Sequence, residues 1–226
     1  MQINNTFEFY ISVFEKKNLF KLFPNLKEEL HLQYNEIVDN LDKQDINIDM
    51  LQGFSQTINT GIKDDYYTVS WSISKIDYII SKNSLSSNYL HLKNIFSDEM
   101  NLNSQKSVHY LNVNIENFKP IYVTYYLPIE SFIVVDGNHR VKELKKRNIF
   151  KTKGYVMSPC YNIETMNDFS FSLYKFHHNL VSLHRLCKVP YLWGFKANKS
   201  LQKNTFYGDN EEFKYLLYKK IVLLFS

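Results

Sequence analysis

One stretch limits the fold more than any other. Residues 133–141 read IVVDGNHRV: three apolar β-formers, an Asp-Gly pair, Asn-His-Arg, and then a helix-patterned run to Arg147. That order predicts a strand, a tight turn and a helix. Gly137 supplies the backbone freedom such a turn needs. The turn delivers Asp136, Asn138, His139 and Arg140 to the first turn of the helix. Free backbone N–H groups and the positive end of the helix dipole gather there, which suits a phosphate or another anion. A capped helix with a purely structural role has the same spacing, so the residues alone leave both readings open.

The 226 residues accommodate one large domain, or one domain with helical extensions, and 44% hydrophobic content is enough for a sizeable core. Asn, Lys, Ile, Tyr and Phe are used so heavily that their totals carry little weight by themselves. A net charge of +4 is too mild for a protein that wraps DNA. Local charge says more. Residues 136–153 carry seven basic and two acidic side chains, so the positive surplus sits on and just after the helix that follows the turn. Such a face attracts a nucleotide or nucleic acid, and a solvated Lys-rich helix face has the same composition. Cys160 and Cys187 match neither a metal spacing nor a disulfide framework, which predicts a reduced, cytoplasmic protein. Glu8 and Glu15 interrupt the apolar N-terminus, against a signal peptide. No apolar run is long enough to span a bilayer, so no membrane partner is expected.

Three regions follow from patterning. Residues 1–65 form a helical N-terminal extension: a helix over 5–23 capped by Asn5 or Thr6, a break at Pro24, and a second helix after Asn25. Residues 42–65 read as a loop with a short helical turn near Met50 and Leu51, broken by Gly53 and Gly61. Residues 66–160 form a mixed α/β core. Its strands are expected at 66–73, 109–114, 121–126, 132–135 and 153–157, with a turn or short helix over 74–80, a helical patch over 89–96 and a helix over 139–148. Pro128 makes 121–126 and 132–135 a hairpin. Residues 161–226 form a helical C-terminal extension packed on the core. A long helix over 165–187 places Phe169, Leu173, Phe176, Leu180, Leu183 and Cys187 on one face. His177 and His184 fall on nearly the same side of it. A metal there lacks an identifiable third ligand, so half-buried histidines in a helical wall are the simpler reading. Residues 189–197 read as an aromatic loop. Residues 211–225 read as a last helix, apolar enough to dock on the body or to form a homodimer.

The segment from residue 68 to 159 resembles the ParB/sulfiredoxin-like superfamily. Ser74-Lys75-Ile76-Asp77 is similar to its I-x-x-I opening, and Pro120-Ile121-Tyr122-Val123 to its P-I-x-V strand. Val135-Asp136-Gly137-Asn138-His139-Arg140-Val141 is similar to its D-G-x-H-R box, with a helix and a V-x-V strand behind it. The resemblance implies an α+β fold with a small mixed sheet of that type, flanked here by the helical extensions. It also implies a nucleotide site, with ATP or CTP and Mg²⁺ at the box. In that picture Gly137 and Asn138 offer backbone N–H groups. His139 and Arg140 bind phosphate oxygens, Arg140 bidentately. Asp136 holds the metal or orients the attacking group, and Lys119 adds a further phosphate contact.

The departures narrow the activity. Sulfiredoxin chemistry needs a thiolate where Asn138 stands, which excludes that reaction. The partition proteins carry two adjacent arginines where His139 and Arg140 stand, and no helix-turn-helix is legible after residue 160. Three expectations follow: a nucleotide-binding protein that transfers or hydrolyses a phosphoryl group, with Asp136 and His139 as catalytic groups; a nucleic-acid-binding protein or nuclease; or a non-catalytic interaction protein on the same scaffold.

Overall fold

The computed structural model describes residues 1–41, 53–97 and 114–188, together with 199, 201, 205 and 206. Helices α1 (Asn4–Lys16), α2 (Leu19–Leu22) and α3 (Leu26–Asp39) open the chain. The single helix expected over 5–23 is interrupted at Asn18, whose φ of 56° lies in the left-handed region that Asn tolerates better than most residues. Strands β1 (Gly53–Asn59) and β2 (Tyr66–Ser72) form a two-stranded sheet, followed by helix α4 (Ile73–Lys82). The Ser72 hydroxyl caps α4 by accepting from the Lys75 N–H.

Next come β3 (Asn88–His91), β4 (Ile95–Phe96), β5 (Ile121–Tyr126) and β6 (Ser131–Asp136). Helix α5 (Asn138–Lys146), β7 (Lys151–Met157), α6 (Pro159–Thr165) and α7 (Asp168–Leu186) complete the described order. Strands β3 to β7 make one mixed sheet in the order β3-β7-β5-β6-β4. The β5–β6 hairpin is antiparallel, as its Pro128 turn predicts, and β7 lies parallel to β5. The protein is therefore mixed α and β. No described helix is long and apolar enough to cross a membrane.

Two expectations are corrected here. Residues 53–59 form a strand, not a loop. Residues 88–96 form two short strands around a single 3₁₀ turn, not a helical patch. In the second case pairing with β7 and β6 outweighs a helix-like recurrence of apolar residues. The helical turn near residues 50 and 51, the 189–197 loop and the 211–225 helix lie outside the described residues, as does the strand expected at 109–114 except for Asn114, which caps a 3₁₀ turn and is in no strand.

The chain divides into two units. One comprises residues 1–49, 57–69 and 167–226; the other comprises residues 50–56 and 70–166. In the first, Phe7 stacks on Tyr34 with ring centroids 4.3 Å apart, and Phe176 packs against both rings. Asp65 is fully buried in this unit. Its carboxylate accepts from the Thr6 backbone N–H at 2.6 Å and from Asn5 Nδ2 at 2.8 Å. A side chain 59 residues away thus caps the start of α1.

His177 is also buried there, with its Nδ1 2.8 Å from the Tyr67 hydroxyl. Burial, and secondarily the neighbouring His178, pushes its pKa down from 6.5 to about 3. The folded protein therefore keeps His177 neutral where the unfolded chain takes up a proton. Stability falls as pH drops below 6.5 toward 3, by about 1.4 kcal/mol per pH unit for one such proton. Urea unfolding at pH 7 and pH 5 measures this. The native protein is expected to lose about 2 kcal/mol more than a His177→Gln variant over that interval. Identical pH dependence in the two proteins would contradict the assignment.

One core cluster of the second unit lies on one face of the large sheet. Leu90, Ile121, Val123 and Val134 pack there against Val141 and Leu144 of α5. Gly154 sits under this layer, where a Cβ would come within 2.5 Å of Leu90 Cδ1 and 2.9 Å of Ile121 Cγ1. The close approach of β7 to β3 and β5 at this point therefore requires glycine.

Candidate functional site

Strand β6 ends at Asp136, Gly137 turns the chain, and α5 begins at Asn138. Gly137 has a φ of 109°, and a Cβ there would meet Ile121 Cγ2 at 2.6 Å. Conformation and space both demand glycine at this turn. No side chain caps the start of α5. Its first-turn N–H groups and the positive end of its dipole therefore have no anionic side chain of their own at the cap.

Arg140 is buried and faces the protein. Its Nη1 donates to the Lys119 carbonyl at 2.6 Å and the Pro120 carbonyl at 2.9 Å, and its Nη2 pairs with Asp136 Oδ2 at 2.5 Å. One guanidinium thus ties the chain leading into β5 to the end of β6. A bidentate grip on phosphate by Arg140 would require it to leave these acceptors. The same bonds hold Lys119 beside the turn, and residue 119 is itself exposed. Asp136 is more open than its partner, and its second carboxylate oxygen lies outside the Arg140 pair.

Asn138 is buried, and its side-chain amide donates to the Val134 carbonyl at 3.3 Å. Its carboxamide oxygen is buried without a hydrogen-bond partner. Only the Asn138 backbone is placed to serve a ligand. His139 is half-buried in the first turn of α5.

Two further residues join this neighbourhood. Tyr122 of β5 pairs with Asp136 across a register shift in the hairpin. Its hydroxyl donates to Asp77 Oδ1 of α4 at 2.5 Å. Burial raises the Tyr122 pKa, helped by the bond to Asp77 and by the charges of Asp77 and Asp136, while Arg140 acts in the opposite sense. Tyr122 therefore stays protonated and serves as a donor rather than a base. The hairpin register could have pointed to Tyr122, since a turn at Pro128 sets it opposite the end of β6. Asp77 gave no signal of its own, because only the packing of α4 on the sheet brings it there.

The carboxylates that could hold Mg²⁺ are Asp136, at the end of β6, and Asp77, which accepts from the Tyr122 hydroxyl. That ion takes one or two protein carboxylates and fills its remaining positions with water and substrate phosphate. Among the described residues no group of three or more His, Cys, Asp or Glu forms a metal site, and that includes His177 and His184. His184 instead lies against the rings of Phe9 and Tyr10.

Part of the basic surplus around α5 is engaged within the fold, two arginines by ion pairs and one lysine by a hydrogen bond. Arg140 pairs with Asp136, Arg147 pairs with Glu143 at 2.8 Å, and Lys145 donates to the Ser97 hydroxyl. No protein-family model, no curated protein and no solved structure matches the chain.

Proposed function

We propose that the chain binds a nucleotide, ATP or CTP, by its phosphates at the 136–140 turn, and transfers or hydrolyses a phosphoryl group there. The observation that carries this reading is the uncapped start of α5. It follows a glycine in the left-handed region and is flanked by Asp136, His139 and Lys119. Similarity of the box to the ParB/sulfiredoxin-like superfamily supports it. The backbone N–H groups of Gly137 and Asn138 receive phosphate oxygens. His139 and Lys119 supply charged or polar side-chain contacts. Arg140 is a positioning residue that keeps Asp136 and Lys119 at the turn. Asp136, with Asp77 nearby, is the group that would hold Mg²⁺. When bound, that ion supplies charge neutralisation across the phosphates. His139 and Asp136 are the candidates to accept the proton of the attacking group.

Thermal unfolding with each of the four ribonucleoside triphosphates, with and without Mg²⁺, tests the proposal. A ligand at a hundred times its Kd adds about 2.7 kcal/mol, which raises the Tm of a chain this size by about 5 °C or more. At least one triphosphate is expected to do so. Lys119→Ala should reduce the rise without lowering the Tm of the free protein, and His139→Ala should reduce the rise measured from its own ligand-free Tm. No rise with any triphosphate would overturn the reading.

A further inference from the structure

On its second side the large sheet is covered over Thr124, Tyr126, Ile133 and Met157, which are fully buried, but its β3 edge and the first half of β7 are open there. Register pairs Tyr89 with Lys153 and His91 with Lys151 across β3 and β7, so these four side chains leave the sheet on one side. Tyr155 follows Lys153 by two residues and shares that side. It pairs in register with Tyr122 of β5, and the two rings lie 5.8 Å apart. The core residues Leu90, Ile121 and Val123 leave on the opposite side. Tyr89, His91, Lys151 and Lys153 are all exposed, Tyr89 to 72%. The Lys153 ammonium lies 5.9 Å from the centre of the Tyr89 ring.

Protection of an edge strand against pairing with other chains explains lysines on β3 and β7. It does not explain a tyrosine ring left open beside one of them. Aromatic rings interleaved with ammonium groups on a sheet surface match the two parts of a single-stranded nucleic acid. The rings stack unpaired bases, and the lysines neutralise phosphates. None of the six side chains is acidic; the carboxylates of Asp77 and Asp136 lie at the Tyr122 end, away from the lysines of β7. A duplex hides its bases inside the stack and offers this surface only its backbone.

We infer that the open part of this side, on β3 and the first half of β7, is a binding platform for single-stranded nucleic acid. Tyr89 and Tyr155 act as stacking rings, and Lys151 and Lys153 as phosphate contacts. The inference goes beyond the nucleotide site and needs neither Asp136 nor the Gly137 turn.

Fluorescence anisotropy with labelled oligo-dT, oligo-U and a duplex of equal length tests it on the full chain. Binding to at least one single strand, weaker binding to the duplex and a fall with added salt are expected. Tyr89→Ala should weaken binding about tenfold or more. A Lys151→Ala, Lys153→Ala double variant should flatten the salt slope by about one to one and a half. Both changes are at exposed positions, so an unchanged Tm confirms that the variants are folded. The oligo-dT and oligo-U arms separate DNA from RNA. Saturating ATP with Mg²⁺ should leave oligonucleotide binding in place. A nucleotide-induced rise in Tm without oligonucleotide binding would overturn the platform and leave the turn site standing. So would binding that ignores Tyr89→Ala, or binding that ATP abolishes. Oligonucleotide binding with no response to any triphosphate would support the platform and overturn the nucleotide site instead.

Discussion

Arg140→Ala is expected to cost about 3 kcal/mol or more of folding stability. The reason is what the guanidinium leaves behind. The Lys119 and Pro120 carbonyls lose their donor, and Asp136 loses its charge partner. The side chain is only 8% exposed, so water replaces these bonds poorly. Arg140→Lys should recover only part of the loss, because one ammonium cannot reproduce a planar fork aimed at three acceptors. Urea unfolding measures both variants. A midpoint for Arg140→Ala within error of the native protein would show that the guanidinium does not hold the turn together. Residual nucleotide affinity in Arg140→Lys reads its positioning role separately from stability.

Asp65→Ala should destabilise the first unit by about 2–4 kcal/mol. Thr6 N–H and Asn5 Nδ2 lose a buried acceptor, and the positive end of α1 loses its counter-charge. The side chain is completely buried, so no water waits to substitute. Asp65→Asn keeps the shape and one acceptor oxygen but turns an amide donor toward other donors, and should cost roughly half as much. Hydrogen exchange of the α1 amides gives the local reading: faster exchange through the first half of α1 is expected. Unchanged exchange and a loss under 0.5 kcal/mol would contradict the capping role.

The parts of the fold legible in the sequence were those whose information is local. The β-forming runs over 121–126 and 132–135 around Pro128 announced the hairpin, and Gly137 announced the helix start. The apolar stripe over residues 165–187 announced the long helix, found at Asp168–Leu186. Strand β1 was hidden because Gly53, Ser55, Gln56, Thr57 and Asn59 read as loop; it is a strand because β2 pairs with it. Over 88–96, Tyr89, Leu92 and Ile95 recur at helical spacing, yet only Leu92, in the 3₁₀ turn, and Ile95 are buried while Tyr89 faces water. The phosphate-site residues were found as a string of types, but not their directions. No sequence pattern says that Arg140 reaches back to carbonyls at 119 and 120, or that the Asn138 side chain turns inward. Asp65 and Asp77 were passed over because their partners lie far away in sequence, at Thr6 and Tyr122.

Amide NMR of the ¹⁵N-labelled protein during titration with ATP and Mg²⁺, repeated with CTP, tests the phosphate site most directly. The largest shifts are expected at the backbone N–H groups of Gly137, Asn138 and His139, in step with one another and with a change at Lys119. Saturating titrations that leave these amides unmoved, or that move only residues remote from the start of α5, would contradict it.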